Sequence, residues 1–123
     1  MEYLFNNRES VYLQVVMYFK QQIANNLLEA GQEIPSRRVL AAQFNINPKT
    51  VQKAYKELEQ QGLITTEKNS PSKITTDINF IIGIRYELIM ELVNELIDSI
   101  KIINVPLDDL LETVKQNYEE KQY

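Results

Sequence analysis

Between Leu40 and Leu58 two apolar helical patterns are separated by four residues, Asn45-Ile46-Asn47-Pro48, and those four residues limit the fold more than any others. Asn47 is a good N-cap. Proline is accepted at the first helical position, where its missing N–H would be unpaired in any case. One helix must therefore stop and another start within a single tight turn. Upstream, Pro35-Ser36 opens the first of the pair with Ser36 as N-cap, and Leu40, Ala41 and Phe44 point inward. Downstream, the second helix runs to Gln61, and Gly62 supplies its C-cap.

The flanking segments complete a small domain. Ser10 is placed to cap a helix reaching about Asn26, with Val11, Val15, Tyr18, Phe19 and Ile23 at helical spacing toward a core. Glu29-Ala30-Gly31 reads as a turn. Leu63 to Glu67 and Lys73 to Thr76 read as two short strands around a polar turn, Lys68 to Ser72. The fold class expected is mostly α with a small β-wing: a winged helix-turn-helix domain over 1–76, then a two-helix dimerisation tail over 77–123. In that tail Ile82, Tyr86, Ile89, Val93, Leu96, Ile100 and Ile103 are spaced alternately four and three apart. Such spacing is a heptad-like seam on a helix roughly 33 Å long at about 1.5 Å per residue. Ile84, Leu88 and Leu92 widen the stripe. Asn104-Val105-Pro106 breaks the helix, and Leu107, Leu110, Leu111, Val114 and Tyr118 mark a last amphipathic one.

Composition excludes several classes of function. With 44% apolar residues the chain can bury a core, and 123 residues suit one domain with a short appendage. It has no cysteine and no histidine, which removes disulfides, thiolate chemistry, the commonest general base and the commonest metal ligand. No glycine-rich phosphate loop is present, and Glu57 and Glu59, two apart on a helix, do not face each other. No catalytic constellation, cofactor or metal is expected. Met1 to Ser10 has no signal-peptide pattern, and Ile78 to Ile103 is interrupted by Arg85, Glu87, Glu91, Glu95 and Asp98, so a cytoplasmic protein that does not enter a membrane is expected.

The net charge of −4 conceals an asymmetry. Residues 1–76 carry nine Lys and Arg against seven Asp and Glu, whereas 77–123 carry four against ten. From Ile34 to Lys56 there are five cations (Arg37, Arg38, Lys49, Lys53 and Lys56) and no acid. On the second helix of the pair, Val51, Ala54, Tyr55 and Leu58 share the core face, while Lys49, Gln52, Lys53 and Lys56 share another. A polyanion responds to that local field rather than to the whole-chain sum. A major groove admits such a helix, with residues near its N-terminus reaching base edges and lysines reaching phosphates; its N–H groups and positive dipole end at Asn47 to Thr50 favour a phosphate as well. The same face is compatible with ordinary solvated surface, and Arg37 and Arg38 have Glu33, Glu57 and Glu59 as alternative partners. A winged helix that binds protein instead of DNA is the competing class.

Pro35-Ser36-x-Arg38-x-Leu40-Ala41, followed by Asn47-Pro48-x-Thr50-Val51-x-x-Ala54-Tyr55-x-x-Leu58-Glu59-x-x-Gly62-Leu63-Ile64, resembles the GntR family of bacterial regulators, as does the opening Val11-Tyr12-Leu13-Gln14. The short two-helix tail is similar to the YtrA-like subfamily. The resemblance implies a dimeric repressor of transcription bound to double-stranded operator DNA. It assigns Arg38 to the DNA backbone or a guanine, Asn47, Pro48, Lys49, Thr50 and Gln52 to the tip of the recognition helix, and Lys53 to a phosphate. Arg37 stands where the family often has an acid, and so adds a charge. The wing departs from the pattern: Lys68-Asn69-Ser70-Pro71-Ser72-Lys73 replaces the usual glycines, so a phosphate contact from Lys68 or Lys73 is expected in place of minor-groove insertion. The tail's acidic exterior and apolar seam favour a homodimer over a lid folded on its own domain. It offers no evident pocket for a small-molecule effector.

Overall fold

The computed structural model describes residues 5–121. The remaining residues at either end, which the sequence assigns to the winged helix and the tail, lie outside the described residues. The elements are α1 (Val11–Ala24), α2 (Arg37–Phe44), α3 (Pro48–Gln60), β1 (Ile64–Thr65), β2 (Lys73–Ile74), α4 (Ile78–Lys101) and α5 (Leu107–Glu120). They form two compact units, one through Glu87 and one from Leu88, so the division falls inside α4.

In the first unit α3 packs against both α1 and α2. Val15, Phe19 and Ile23 of α1 meet Val51, Ala54, Tyr55 and Leu58 of α3 in a core whose members are at most 1% exposed. Leu40 and Ala41 are buried as expected, while Val11, Tyr18 and Phe44 are half-buried. Four aromatics stack edge-on there: Tyr18 lies 5.0 Å from Phe44 and 5.3 Å from Phe19, and Phe19 lies 5.7 Å from Tyr55.

The ends of α2 and α3 follow the sequence signals. Ser36 Oγ accepts from Val39 N at 3.2 Å, and Asn45 turns left-handed with φ 53°. At the end of α3, Gly62 N bonds Glu59 O and Leu63 N bonds Leu58 O, a Schellman closure that requires the φ of 82° found at Gly62. Helix α1 begins differently. Ser10 precedes it but makes no side-chain cap bond. Gln14, 5% exposed, instead donates to Asn6 O and Glu9 O and accepts from Asn6 N, clasping the preceding segment to the helix.

The wing is shorter than the strand pattern suggests, with only Ile64↔Ile74 and Thr65↔Lys73 paired antiparallel. A segment the sequence reads as a turn and loop covers the other edge of β2. Glu33 bridges Lys73, Gly31 N bonds Ile74 O, Ile74 N bonds Gln32 O and Ile34 N bonds Ser72 O. Asp77 then starts α4, its carboxylate accepting from Phe80 N at 3.1 Å. Ile84, read as part of the tail's stripe, is buried in the first unit at 6% exposure.

From Leu88 onward no described residue is buried. Val93 and Leu96 of the seam are exposed, as are Leu92, Leu111, Val114 and Tyr118, whereas Ile100 is half-buried. Ile103 falls outside the helix that was expected to carry it. Helix α4 stops at Lys101, and Ile103 lies in the turn that Asn104 closes with φ 53°. Asp108 and Asp109 sit in the first turn of α5, where the helix dipole favours negative charge. No described helix is long and apolar enough to cross a membrane.

Candidate nucleic-acid interface

Four buried side chains fix the orientation of α3 and so leave its opposite face outward. Lys49, Gln52, Lys53 and Lys56 are all exposed on that face. Asn47 and Pro48 are exposed at its start, and Thr50 is half-buried. Asn47 Oδ1 accepts from Lys49 N at 2.9 Å, while Asn47 O accepts from Thr50 N and Val51 N at 2.9 and 3.3 Å. The N–H groups from Lys49 to Val51 are therefore already bonded. An anion at this end would meet the dipole and the side-chain cations rather than the open backbone donors the sequence suggests. Lys53 is held from α1, its Nζ 4.1 Å from the centroid of the Tyr12 ring.

The two arginines of α2 separate. Arg38 is exposed. Arg37 turns back, with Nη2 3.0 Å from Glu59 Oε1 and its guanidinium carbon 5.0 Å from the centroid of the Tyr55 ring. Of the three acids that the sequence offers as partners, Glu59 is the one used. Beneath the guanidinium, the Tyr55 hydroxyl donates to Pro35 O at 2.5 Å. Burial pushes its phenol far above the usual range, and the Arg37 charge opposes that shift. Tyr55 is thus a neutral, locked platform joining α3 to the start of α2.

In the wing, Lys68 and Lys73 are exposed. Lys73 lies on β2 opposite Thr65, and Lys68 opens the turn, which Asn69 closes with φ 60° in place of glycine. Glu59 accepts a second hydrogen bond from Thr66 Oγ1 at 2.8 Å, and Thr66 Oγ1 lies 2.5 Å from Ser72 Oγ. Helical spacing identifies the cationic face but finds neither Tyr12 nor this hydroxyl pair. The first depends on a contact between helices distant in sequence and the second on how the wing turn closes, and the sole hint is an aromatic in the first turn of α1.

Residues 11–74 match the family described as bacterial regulatory proteins, gntR family. The HTH-type transcriptional repressor YtrA of Bacillus subtilis (strain 168) is 31% identical over 107 residues, which span 86% of this chain and 82% of YtrA. A solved GntR family transcriptional regulator from Listeria monocytogenes superposes with a TM-score of 0.88 at 28% identity, covering 91% of this chain and 98% of its own. A crystal structure of AraR(DBD) in complex with operator ORX1 superposes with a TM-score of 0.54 at 26% identity, covering 61% of this chain and 96% of AraR(DBD). With the family matched across the winged helix and a YtrA relative matched across both units, the chain belongs to the GntR family of bacterial regulatory proteins and is YtrA-like within it.

Proposed function

We propose that this protein is a cytoplasmic transcriptional repressor that binds operator DNA as a homodimer, with α3 as the recognition helix. The observation that carries the proposal is the face of α3: Lys49, Gln52, Lys53 and Lys56 stand exposed on a helix whose other side is locked into the core. Asn47, Pro48, Lys49, Thr50 and Gln52 lie at the N-terminal end, the part of a recognition helix that reaches base edges. Gln52 offers the paired donor and acceptor that suit an adenine. Arg38, Lys53 and Lys56 supply phosphate contacts, and Lys68 and Lys73 extend them to the wing. Arg37, held by Glu59, contributes through pairing and position rather than as a free guanidinium.

A single α3 spans few base pairs, so the proposal places a second copy against the exposed seam of α4. Ile82, Tyr86, Ile89, Val93, Leu96, Ile100 and Ile103 are offered as its contacts, with Ile103 entering from the turn beyond the helix. Two-fold symmetry makes the operator an inverted repeat with half-sites about one helical turn, roughly 34 Å, apart.

Binding to DNA selected from a random pool tests the reading. If each subunit neutralises about four phosphates, log affinity falls against log salt with a slope near −7. Lys53→Ala lowers that slope by about 1 and weakens all sequences alike, whereas Gln52→Ala relaxes preference at particular bases. A slope shallower than about −2 would reduce the cationic face to ordinary solvated surface.

A further inference from the structure

We infer that Glu59, Thr66 and Ser72, anchored by Arg37, act as a positioning relay that sets the wing turn relative to the exposed face of α3. Glu59 belongs to α3 itself, and Oε1 receives both Arg37 Nη2 at 3.0 Å and Thr66 Oγ1 at 2.8 Å. Thr66 follows β1 directly and Ser72 precedes β2 directly, so their 2.5 Å contact closes the two legs of the turn on each other. A carboxylate only accepts, so the single Thr66 hydroxyl proton goes to Glu59, and Ser72 is the donor in the second bond. The order of donation is therefore Ser72 to Thr66 to Glu59, with the guanidinium neutralising the acid at its end.

The arrangement occupies the place where the ladder gives out. The β1–β2 ladder pairs two positions, and the bonds from Gly31, Gln32 and Ile34 hold the β2 leg rather than the β1 leg. The hydroxyl pair continues the tie beyond Thr65↔Lys73, and Ser72 is buried at 6% exposure, with its carbonyl taken by Ile34 N. The Arg37 pair also removes an acid that would otherwise repel phosphate from the same helix that carries Lys49, Lys53 and Lys56. An arginine at position 37 and the threonine and serine flanking the turn thus do for this wing what a longer ladder would do.

The inference rests on the reading that Lys68 meets DNA, and the test separates the two. Wild type, Thr66→Val, Lys68→Ala and the double variant are compared for affinity and for hydroxyl-radical footprint on the selected operator. Thr66→Val keeps the β-branched shape and removes both hydrogen bonds. It is expected to weaken binding roughly three- to tenfold, the scale of one net hydrogen bond, and to erase the wing-side protection while the protection under α3 persists. Lys68→Ala then costs much less in the Thr66→Val background than it does in wild type, and Thr66→Ser restores the wild-type footprint. If wild type protects no wing-side phosphates, the reading of Lys68 fails and takes the relay with it. If wild type does and Thr66→Val does too, with additive losses, the relay alone is overturned.

Discussion

From α1 to β2 the core-facing apolar side chains close over one another: Phe19, Tyr55, Leu58, Leu63 and Ile74 are at most 1% exposed. From Leu88 onward the same kinds of side chain stand open, with Leu92 at 66%, Leu111 at 57% and Tyr118 at 72% exposure. Both stretches carry strong helical periodicity, so periodicity is not what separates them. A helix needs one apolar stripe to form against something, and only the first unit contains within itself what its stripes face. Burying a Leu or Ile completely is worth about 1.5–3 kcal/mol. A row of them along α4 and α5 is therefore a large free energy left for association, and we assign it to a second copy.

Core truncation gives the widest separation between the two units. Phe19→Ala should lower unfolding free energy by about 3–5 kcal/mol, since a fully buried ring leaves a cavity. Leu92→Ala, in protein dilute enough to be monomeric, should change it by no more than about 0.5 kcal/mol. Urea titrations at two protein concentrations measure both. Equal losses in dilute protein would mean that the tail has a core of its own and that the contrast drawn above is wrong.

A charge in the seam comes next in size. Leu96→Asp is expected to weaken the dimer by at least about 2 kcal/mol, roughly thirtyfold, as for an interface residue that is desolvated on assembly. The winged helix should keep its circular dichroism and its binding to one half-site, while the advantage of the full site disappears. Sedimentation showing a wild-type dimer for this variant would remove Leu96 from the interface.

The smallest effect contrasts two serines that look alike in sequence. Ser36→Ala loses a bond to Val39 N and should cost about 1 kcal/mol; Ser10→Ala loses no cap bond and should stay within a few tenths. Thermal unfolding of the two variants, compared at equal concentration, sharpens the account of how the first unit starts its helices.

Those serines also show where the sequence was readable. The pair α2 and α3 was legible because its ends are chemically marked: Ser36, Asn47, Pro48 and Gly62 each satisfy a local requirement, and the periodicity between them fixes the buried face; the left-handed turn at Asn45 is seen only in the structure. Ser10 carries the same mark, yet Gln14 does the holding there. The edge formed by Gly31 to Ile34 was not legible, because one bridge and three backbone bonds leave no alternation to read. The strands were read too long for a related reason: β-propensity near Thr66 and Thr76 says nothing about whether a partner continues. Ile84 shows the limit of periodicity most directly, since spacing gives the stripe but not what covers it. At the site, the lysines and Gln52 could be listed from spacing, but the choice of Glu59 for Arg37 and of Tyr12 for Lys53 needed three dimensions.

Among the described residues, the turns bear on the denatured state as well. Asn26, Asn45, Asn69 and Asn104 all hold positive φ, a role shared with only two glycines, Gly31 and Gly62. Glycine at such corners would be free of strain but would widen the unfolded ensemble, because it roams the whole backbone map. Asparagine tolerates the same corner while retaining the narrower map of a side-chain-bearing residue. Less disorder is therefore surrendered when each corner forms, so four asparagines make this chain easier to fold by restricting what it does before folding.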